Sequence, residues 1–506
     1  MQDFIAVLDF GSQYTHLISK RIRHIGAYTR IFSPSTNENS LSKAKGIVLS
    51  GGPASVNSSK IPEFNAKLLK LNKPILGLCY GHQLIAQSFG GSISNSGKGE
   101  FGKAILEHKS DSPLWENISF PNQVWMSHQD SVTNCPEEFV VTAETETGNL
   151  AAMKHRNRPI FTLQFHPEVT DTSHGRTMLK NFVKACGVRS RWSMETFIDV
   201  TTKRLSNEVG KNKVLMFLSG GVDSSVAFAL LNKALGKDKL LGLYINNGFM
   251  RKHESEEILK RYSQLGYKNI QSRNYSSFFL DSLTGQVDPQ IKRQIIGTTF
   301  IKMRDRFLNE LNLNPQDWML GQGTLYPDII ESGGTEYAEV IKTHHNRVKE
   351  VLDLESSGKI VEPLKDLYKD EVKKVGTLLG LPKSILRRHP FPGPGLSINV
   401  LCARGDESFP QIEKTLKKVR DCLKDCNCRF QILPVRSVGV QGDQRTYASP
   451  VALINAPRDW DWLESQATRI TNEVRTVNRV VLLLGSNTKD SSDQFNFHKA
   501  FFLMLR

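Results

Sequence analysis

Short apolar runs alternate along this chain with stretches of helical spacing. Phe4 to Leu8, Gly46 to Leu49 and Pro74 to Leu78 have strand length, and Gln13 to Arg23 reads as a helix between two of them. Strands alternating with helices predict an α/β fold. A second α/β pattern begins near Lys213 and runs past Gly380. Its first strand is the run Val214 to Leu218, and the helical run Val226 to Leu231 follows after a turn. The segment Val183 to Trp192, with Cys186-Gly187 and then arginines and serines, is expected to be a boundary. The string His389-Pro390-Phe391-Pro392-Gly393-Pro394-Gly395 suits neither a helix nor a central strand and is expected to be a hinge into a third domain. Gln431 to Val440 and Arg479 to Leu484 are strand-like runs of that domain, whereas the polar patches Asn37–Ser42 and Asn487–Asp493 are expected loops.

Composition narrows the class. A chain of 506 residues has room for about three domains. Lacking a run of about eighteen apolar residues, the sequence offers no membrane span. The start, MQDFIAVLDFGSQY, has no basic region ahead of an apolar core and does not read as a signal peptide. Seven cysteines, an odd count, argue for a reducing compartment and a cytoplasmic location. The net charge of +15 invites a nucleic-acid reading. The basic residues are spread out, however, with no basic tail or nucleic-acid module, which argues against that partner. A phosphate-rich small substrate favours the same positive surface.

The chemistry starts at Ser219-Gly220-Gly221-Val222-Asp223-Ser224-Ser225, between an expected strand and an expected helix. Such a turn aims free backbone N–H groups at one point and suits an anion. The lysine of the G-x-x-x-x-G-K-[ST] loop is missing. The loop therefore suits a pyrophosphate that is held and then leaves, as when ATP is split between its α and β phosphates.

A second site is expected in the first α/β region. Cys79 falls where the strand Pro74 to Leu78 turns into a helix, and the flanking glycines are expected to let the chain bend and leave the side chain accessible. A helix N-terminus beyond it favours a thiolate. In Gln164-Phe165-His166-Pro167-Glu168, His166 is placed to serve as base and Glu168 as its orienter. The turn Ser50-Gly51-Gly52-Pro53 offers the Gly52 N–H to an oxyanion, and the Tyr80 N–H is the second donor. Together these strings resemble class I glutamine amidotransferases, with a cysteine protease as the rival reading. The resemblance implies that Cys79 attacks the glutamine side-chain amide to form a thioester. It also implies that Gln83, Ser127 and His128 hold glutamine.

A glutaminase followed by an ATP pyrophosphatase resembles the glutamine-hydrolysing GMP synthase family. Further strings carry the likeness, notably Gly321 to Ser332, Ile341 to Asn346, Arg388 to Leu396 and Leu433 to Asp443. It extends over residues 3 to 485. The fold it implies is a class I amidotransferase domain (1–190), an adenine-nucleotide α-hydrolase-like PP-loop parallel-sheet domain (191–391) and a small α+β dimerisation domain (392–506). The implied reaction is XMP + ATP + glutamine + water → GMP + AMP + pyrophosphate + glutamate. ATP is then a co-substrate and Mg²⁺ a cofactor, and the assembly is a homodimer. By the same resemblance the 219–225 loop grips ATP, Asp223 holds Mg²⁺ and Lys342 stabilises adenylation. Arg293 and Asp443 contact XMP, while Asp328 and Glu331 are further candidate polar contacts.

The pattern departs from the family in two places. Asn246 stands where an aspartate is usual. The family's Lys-Pro-Pro-x-Thr-x-Glu-Trp-Glu ending is missing, since the chain closes Phe501-Phe502-Leu503-Met504-Leu505-Arg506. The strings near Asn246 and Val477 are similar to the long eukaryotic form, and the chain is expected to stop where that form's extra subdomain continues. Two other functions stay open at this point: a non-catalytic nucleotide- or partner-binding relative, and a PP-loop amidotransferase acting on another purine or on tRNA. The cysteines Cys422, Cys426 and Cys428 lack a common zinc spacing and are expected to be structural.

Overall fold

Phe4–Leu8 (β1) is buried along its whole length. Its odd and even positions serve different cores: Ile5 and Val7 pack on one side, Phe4, Ala6 and Leu8 on the other. This two-sided burial is what a central strand between helical layers requires. The structure, a computed structural model, describes residues 3–58, 62–94, 99–189, 191–251, 253–329, 349–388, 395–399, 411–424, 426, 428–433, 435–441, 444–486 and 500–505. Compactness divides the chain into two units: residues 1–203 with 325–340 and 365–378, and the remainder.

The first unit is built on a nine-stranded sheet. Its strands are β1, β2 (Thr29–Phe32), β3 (Ala44–Leu49), β4 (Ile75–Leu78), β6 (Glu100–His108), β7 (Asn122–His128), β9 (Phe139–Thr145), β10 (Leu150–His155) and β11 (Ile160–Leu163). The order is β2-β1-β3-β4-β11-β10-β9-β6-β7. Pairing is parallel from β2 to β11 and antiparallel beyond. A two-stranded ribbon joins β5 (Ser92–Ser94) to β8 (Ser131–Asn134). The helices α1 (Thr15–Ile25) and α3 (Gly175–Ala185) cover one face through Ile18, Ile22, Met178, Leu179 and Phe182. The other face receives α2 (Tyr80–Ser88) through Tyr80, Leu84 and Ile85. The polar patch at 37–42, expected to be a loop, carries one 3₁₀ turn, Glu38–Leu41, which Asn37 caps by accepting from Ser40 N at 3.0 Å.

Arg23 of α1 is fully buried in this unit. Its guanidinium pairs with Glu371 at 3.0 Å and donates to the Thr29 carbonyl at 2.9 Å. The rings of Tyr28, Trp192, Tyr326 and Tyr368 surround it at 4.9–5.3 Å. Glu371 in turn accepts from Trp192 Nε1 at 2.7 Å and from Tyr368 N at 2.9 Å. Removing one partner leaves the other charge buried and uncompensated. Glu371→Ala is therefore expected to lower stability by about 3–5 kcal/mol. The double replacement Arg23→Met with Glu371→Leu is expected to cost less than either truncation alone. Urea unfolding of the ligand-free protein checks both, and a Glu371→Ala loss below about 1 kcal/mol, the range of an exposed pair, would contradict the burial argument.

In the second unit a five-stranded sheet has the order β14-β13-β12-β15-β16. Its strands are β12 (Lys213–Phe217), β13 (Leu240–Asn246), β14 (Ile270–Asn274), β15 (Trp318–Gly321) and β16 (Ile360–Val361), all parallel. β12 leads directly into the helix Val222–Leu235. A further sheet in this unit holds β17 (Arg429–Ile432), β18 (Ser437–Gln441), β19 (Gln444–Ile454), β20 (Val477–Ser486) and β21 (Ala500–Leu505). Its own core forms around Val419, Val451, Leu453, Leu463, Ile470 and Val480. The run Gln431 to Val440, expected to be one strand, is two. The first ends at Ile432 and the second begins at Ser437. The apolar end at 501–505 is a strand, with Val480 opposite Leu505 in antiparallel register on β20. The hinge string 389–394 and the loop 487–493 lie outside the described residues.

Candidate active site

Cys79 sits between the end of β4 and the start of α2. The expectation was that neighbouring glycines supply the bend. Instead Cys79 itself takes the positive φ of 50°. The glycines serve close approach: a Cβ on Gly77 would lie 2.6 Å from the Gly81 carbonyl, and one on Gly81 would lie 2.5 Å from the Leu49 carbonyl. Strand and helix therefore pack backbone to backbone, and the strained residue is the one with the thiol. Tyr80 opens the helix, so its N–H has no acceptor within the helix by position.

The other members of the site come from sheet ends on the same unit. Cys79 N donates to the Leu163 carbonyl at 2.8 Å, which ties the elbow to the strand leading into His166. His166 Nδ1 and Glu168 Oε1 are 2.7 Å apart, and both residues are buried. The Cys79 side chain also acts on the His166 ring. Burial alone would lower the imidazole pKa. The Glu168 carboxylate and the neighbouring Cys79 outweigh it and raise the pKa to about 10. Tyr14 lies edge-on to the ring at 5.0 Å. Arg21 Nε donates to the Glu168 carbonyl at 2.9 Å, and Thr172 Oγ1 donates to the His166 carbonyl at 2.7 Å. These braces had no motif to announce them.

The 50–53 turn lies against the same point. A Cβ on Gly51 would sit 3.4 Å from His166 Cε1 and 3.6 Å from Cys79 Cβ, while Gly52 packs on the Phe10 backbone. The far wall is the end of β7: the Cys79 thiol donates to the Ser127 carbonyl at 3.7 Å. Gln83 is buried, and its Nε2 donates to the Asp130 carbonyl at 2.7 Å and to Gln164 Oε1 at 3.2 Å. His128 is buried beside it. Cys79, His166, Glu168, Gly52, Tyr80, Gln83, Ser127 and His128 thus all belong to the first unit.

The glycine loop stands at the C-terminal end of β12 in the second unit, where open parallel sheets bind ligands. Gly220 has φ +70°, and a Cβ there would lie 2.5 Å from Ile258 Cδ1 and 2.6 Å from Arg388 Nη1. Arg388 donates to the Gly220 carbonyl and pairs with Glu254. Ser219 Oγ accepts from Gly221 N at 3.3 Å and lies 3.1 Å from Ser224 Oγ. Ser225 Oγ donates to the Gly221 carbonyl at 2.7 Å and meets the Tyr262 hydroxyl at 2.9 Å. Val222 and Asp223 open the helix behind the loop. Asn246 ends the neighbouring β13, and its Oδ1 accepts from Gly248 N at 3.0 Å, an Asx turn that an aspartate makes equally well. Gly323 approaches the loop from beyond β15, its Cβ position 3.4 Å from the Asp223 carbonyl carbon.

Among the described residues no three His, Cys, Asp or Glu side chains converge as a metal cage. A single carboxylate such as Asp223 fits a Mg²⁺ ion that arrives on nucleotide phosphates and keeps its waters. Arg293 lies on the helix Pro289–Glu310, next to Lys292, which donates to the Ser397 carbonyl at 3.3 Å. Asp328 closes a turn by accepting from Leu325 N at 3.2 Å. Lys342, Asp443 and Glu331 lie outside the described residues. Cys422 packs in the C-terminal core and donates to Glu473 at 3.5 Å. No helix among the described residues is long and apolar enough to cross a membrane.

Three family models match successive parts of the chain. Residues 6–186 match the class-I glutamine amidotransferase family, 194–306 the NAD synthase family and 418–490 the GMP synthase C terminal domain. A Leptospira interrogans protein named "Probable GMP synthase", glutamine-hydrolyzing, is 43% identical over 95% of this chain and 79% of its own length. A glutamine-hydrolyzing GMP synthase of Prochlorococcus marinus is 43% identical over 95% of this chain and 96% of its own. One from a Synechococcus species is 42% identical over the same shares. With these three domain matches on one polypeptide and relatives 42–43% identical over 95% of it, the chain belongs to the glutamine-hydrolysing GMP synthase family.

Proposed function

We propose that this protein aminates XMP to GMP, with glutamine as nitrogen donor and ATP as the activating co-substrate. The observation that carries the reading is the presence on one chain of a buried Cys79–His166–Glu168 constellation and an open glycine loop at a strand end. One cleaves an amide; the other holds a leaving pyrophosphate. Cys79 attacks the glutamine side-chain amide, and the oxyanion is met by the N–H groups of Gly52 and Tyr80. His166 gives its proton to the leaving ammonia, and water hydrolyses the thioester to glutamate. Gln83, Ser127 and His128 form the glutamine-binding wall.

At the second site the C2 oxygen of XMP attacks the α phosphate of ATP, pyrophosphate leaves, and ammonia displaces AMP. The 219–225 loop binds the phosphates, and Asp223 is the side chain that would hold Mg²⁺. Bound there, Mg²⁺ supplies charge neutralisation at the phosphate oxygens. Lys342 is assigned to the adenylation centre, and Arg293 and Asp443 to XMP. A cytoplasmic homodimer without a nucleic-acid partner belongs to the same reading. The test is AMP release measured with ATP and each of several purine nucleotides, in the presence of glutamine or ammonium chloride. XMP-dependent release with both nitrogen donors is expected, and release that ignores XMP would refute the assignment.

The raised pKa of His166 gives a pH signature. A pKa lifted from about 6.5 to about 10 keeps the ring protonated through neutral pH. Its contribution to stability is complete below about 6.5 and is lost as the pH rises through about 10. Glutamine hydrolysis is accordingly expected to decline on the alkaline side near pH 10. Glu168→Gln removes the largest raising influence and is expected to move that decline toward neutral pH. A pH–rate profile that is unchanged in Glu168→Gln would show that the carboxylate does not hold the proton.

A further inference from the structure

Glu100 lies on no motif, yet it anchors the wall opposite Cys79. It opens β6 directly across from His128, the last residue of β7. Glu100 Oε2 is 3.2 Å from His128 Nε2, while His128 Nδ1 is 3.0 Å from the Asp130 carbonyl. Ser131 Oγ lies 3.4 Å from the same Nδ1. Oε1 of Glu100 accepts from Thr145 Oγ1 at 3.0 Å and from Thr147 Oγ1 at 2.7 Å, which fastens it to the β9–β10 turn. These bonds hold the Glu100 carboxyl at about 2 against the raising effect of burial. The Asp130 carbonyl also accepts from Gln83. The chain of contacts therefore runs from Glu100 through His128 and Asp130 to Gln83 and Gln164, two residues before His166. Backbone packing adds to it: a Cβ on Gly99 would lie 2.7 Å from the His128 carbonyl.

Among the described residues the other titratable groups around His128 do not replace this anchor. His82 of α2 is kept neutral, its pKa lowered to about 3 by burial and by His128. The Asp130 contact to His128 is through its backbone carbonyl.

We propose that Glu100 is a positioning residue for glutamine hydrolysis, setting the 127–130 segment against Cys79 without touching the reacting atoms. The proposal rests on the reading of Ser127 and His128 as the glutamine-binding wall. Its consequence is a split between kinetic constants. A misplaced wall weakens glutamine binding, whereas chemistry at the Cys79–His166 pair and amination from free ammonia are untouched.

The experiment compares Glu100→Gln and Glu100→Asp with the parent, using the full chain with ATP and XMP. Glu100→Gln keeps the shape and removes the charge. It is expected to raise the KM for glutamine about tenfold, the loss of one charge-assisted bond, with kcat within about twofold. The ammonia-dependent rate is expected to stay at the parent value, and Glu100→Asp to recover part of the KM. An unchanged KM overturns the proposal, as does a fall in kcat alone or an equal loss of the glutamine and ammonia routes. Failure of the underlying site reading looks different: the parent itself would show no glutamine-dependent turnover, or Cys79→Ala would retain it.

Discussion

Cys79→Ala is expected to lower glutamine-dependent GMP formation by about a thousandfold or more, while amination from ammonium chloride proceeds near the parent rate. In the proposed reaction the thiol is the group that bonds covalently to the substrate, and among the described residues no other cysteine has a positive φ. Its backbone, at φ 50°, is held by the Leu163 carbonyl and by the approach of Gly77 to Gly81. Removing Sγ leaves that scaffold in place, and alanine is smaller than the residue it replaces. The loss is therefore chemical rather than structural, and the second site keeps its function. The measurement is GMP formation with each nitrogen donor on the same preparation. Equal loss with both donors would mean that Cys79 supports the fold of the whole enzyme instead of supplying a nucleophile.

Gly220→Ala is expected to abolish both routes, by about a hundredfold or more. Two independent obstacles meet there. A left-handed φ of +70° costs a residue with a Cβ about 1–2 kcal/mol. The added carbon would also fall 2.5 Å from Ile258 Cδ1 and 2.6 Å from Arg388 Nη1. Ile258 can turn aside, but Arg388 is fixed at once by the Gly220 carbonyl and by Glu254. Relief comes by moving the loop backbone, and the N–H groups proposed to meet the phosphates move with it. Because ATP activation precedes amination whatever the nitrogen source, glutamine and ammonia fail together. Survival of ammonia-dependent AMP release in Gly220→Ala would place the phosphates elsewhere.

The parts of the two sites that were legible in the sequence are those in which chemistry is compressed into adjacent residues. Cys79 at a strand-to-helix turn, His166 two residues from Glu168 and the 219–225 string each carry their geometry locally. The cause of the elbow was less legible. Glycines beside a nucleophile suggest a flexible bend, whereas Gly77 and Gly81 act through missing side-chain volume and the cysteine bears the strain. Glu100 was invisible because its role depends on strand register: it meets His128 only once β6 and β7 are paired. Arg23 was invisible for a different reason. It reads as one basic residue of an amphipathic helix, and its partner Glu371 is 348 residues away. The run Gln431 to Val440 misled because its alternation does not mark where one strand ends and the next begins.

The central claim is that nitrogen freed at Cys79 becomes the amino group of GMP. It is tested most directly by supplying glutamine labelled with heavy nitrogen in its side-chain amide, together with XMP and ATP, and weighing the nucleotide product. The account predicts GMP carrying the label on its exocyclic amine, with one AMP and one glutamate formed for each GMP. Unlabelled GMP, or glutamate released without any GMP, would contradict it.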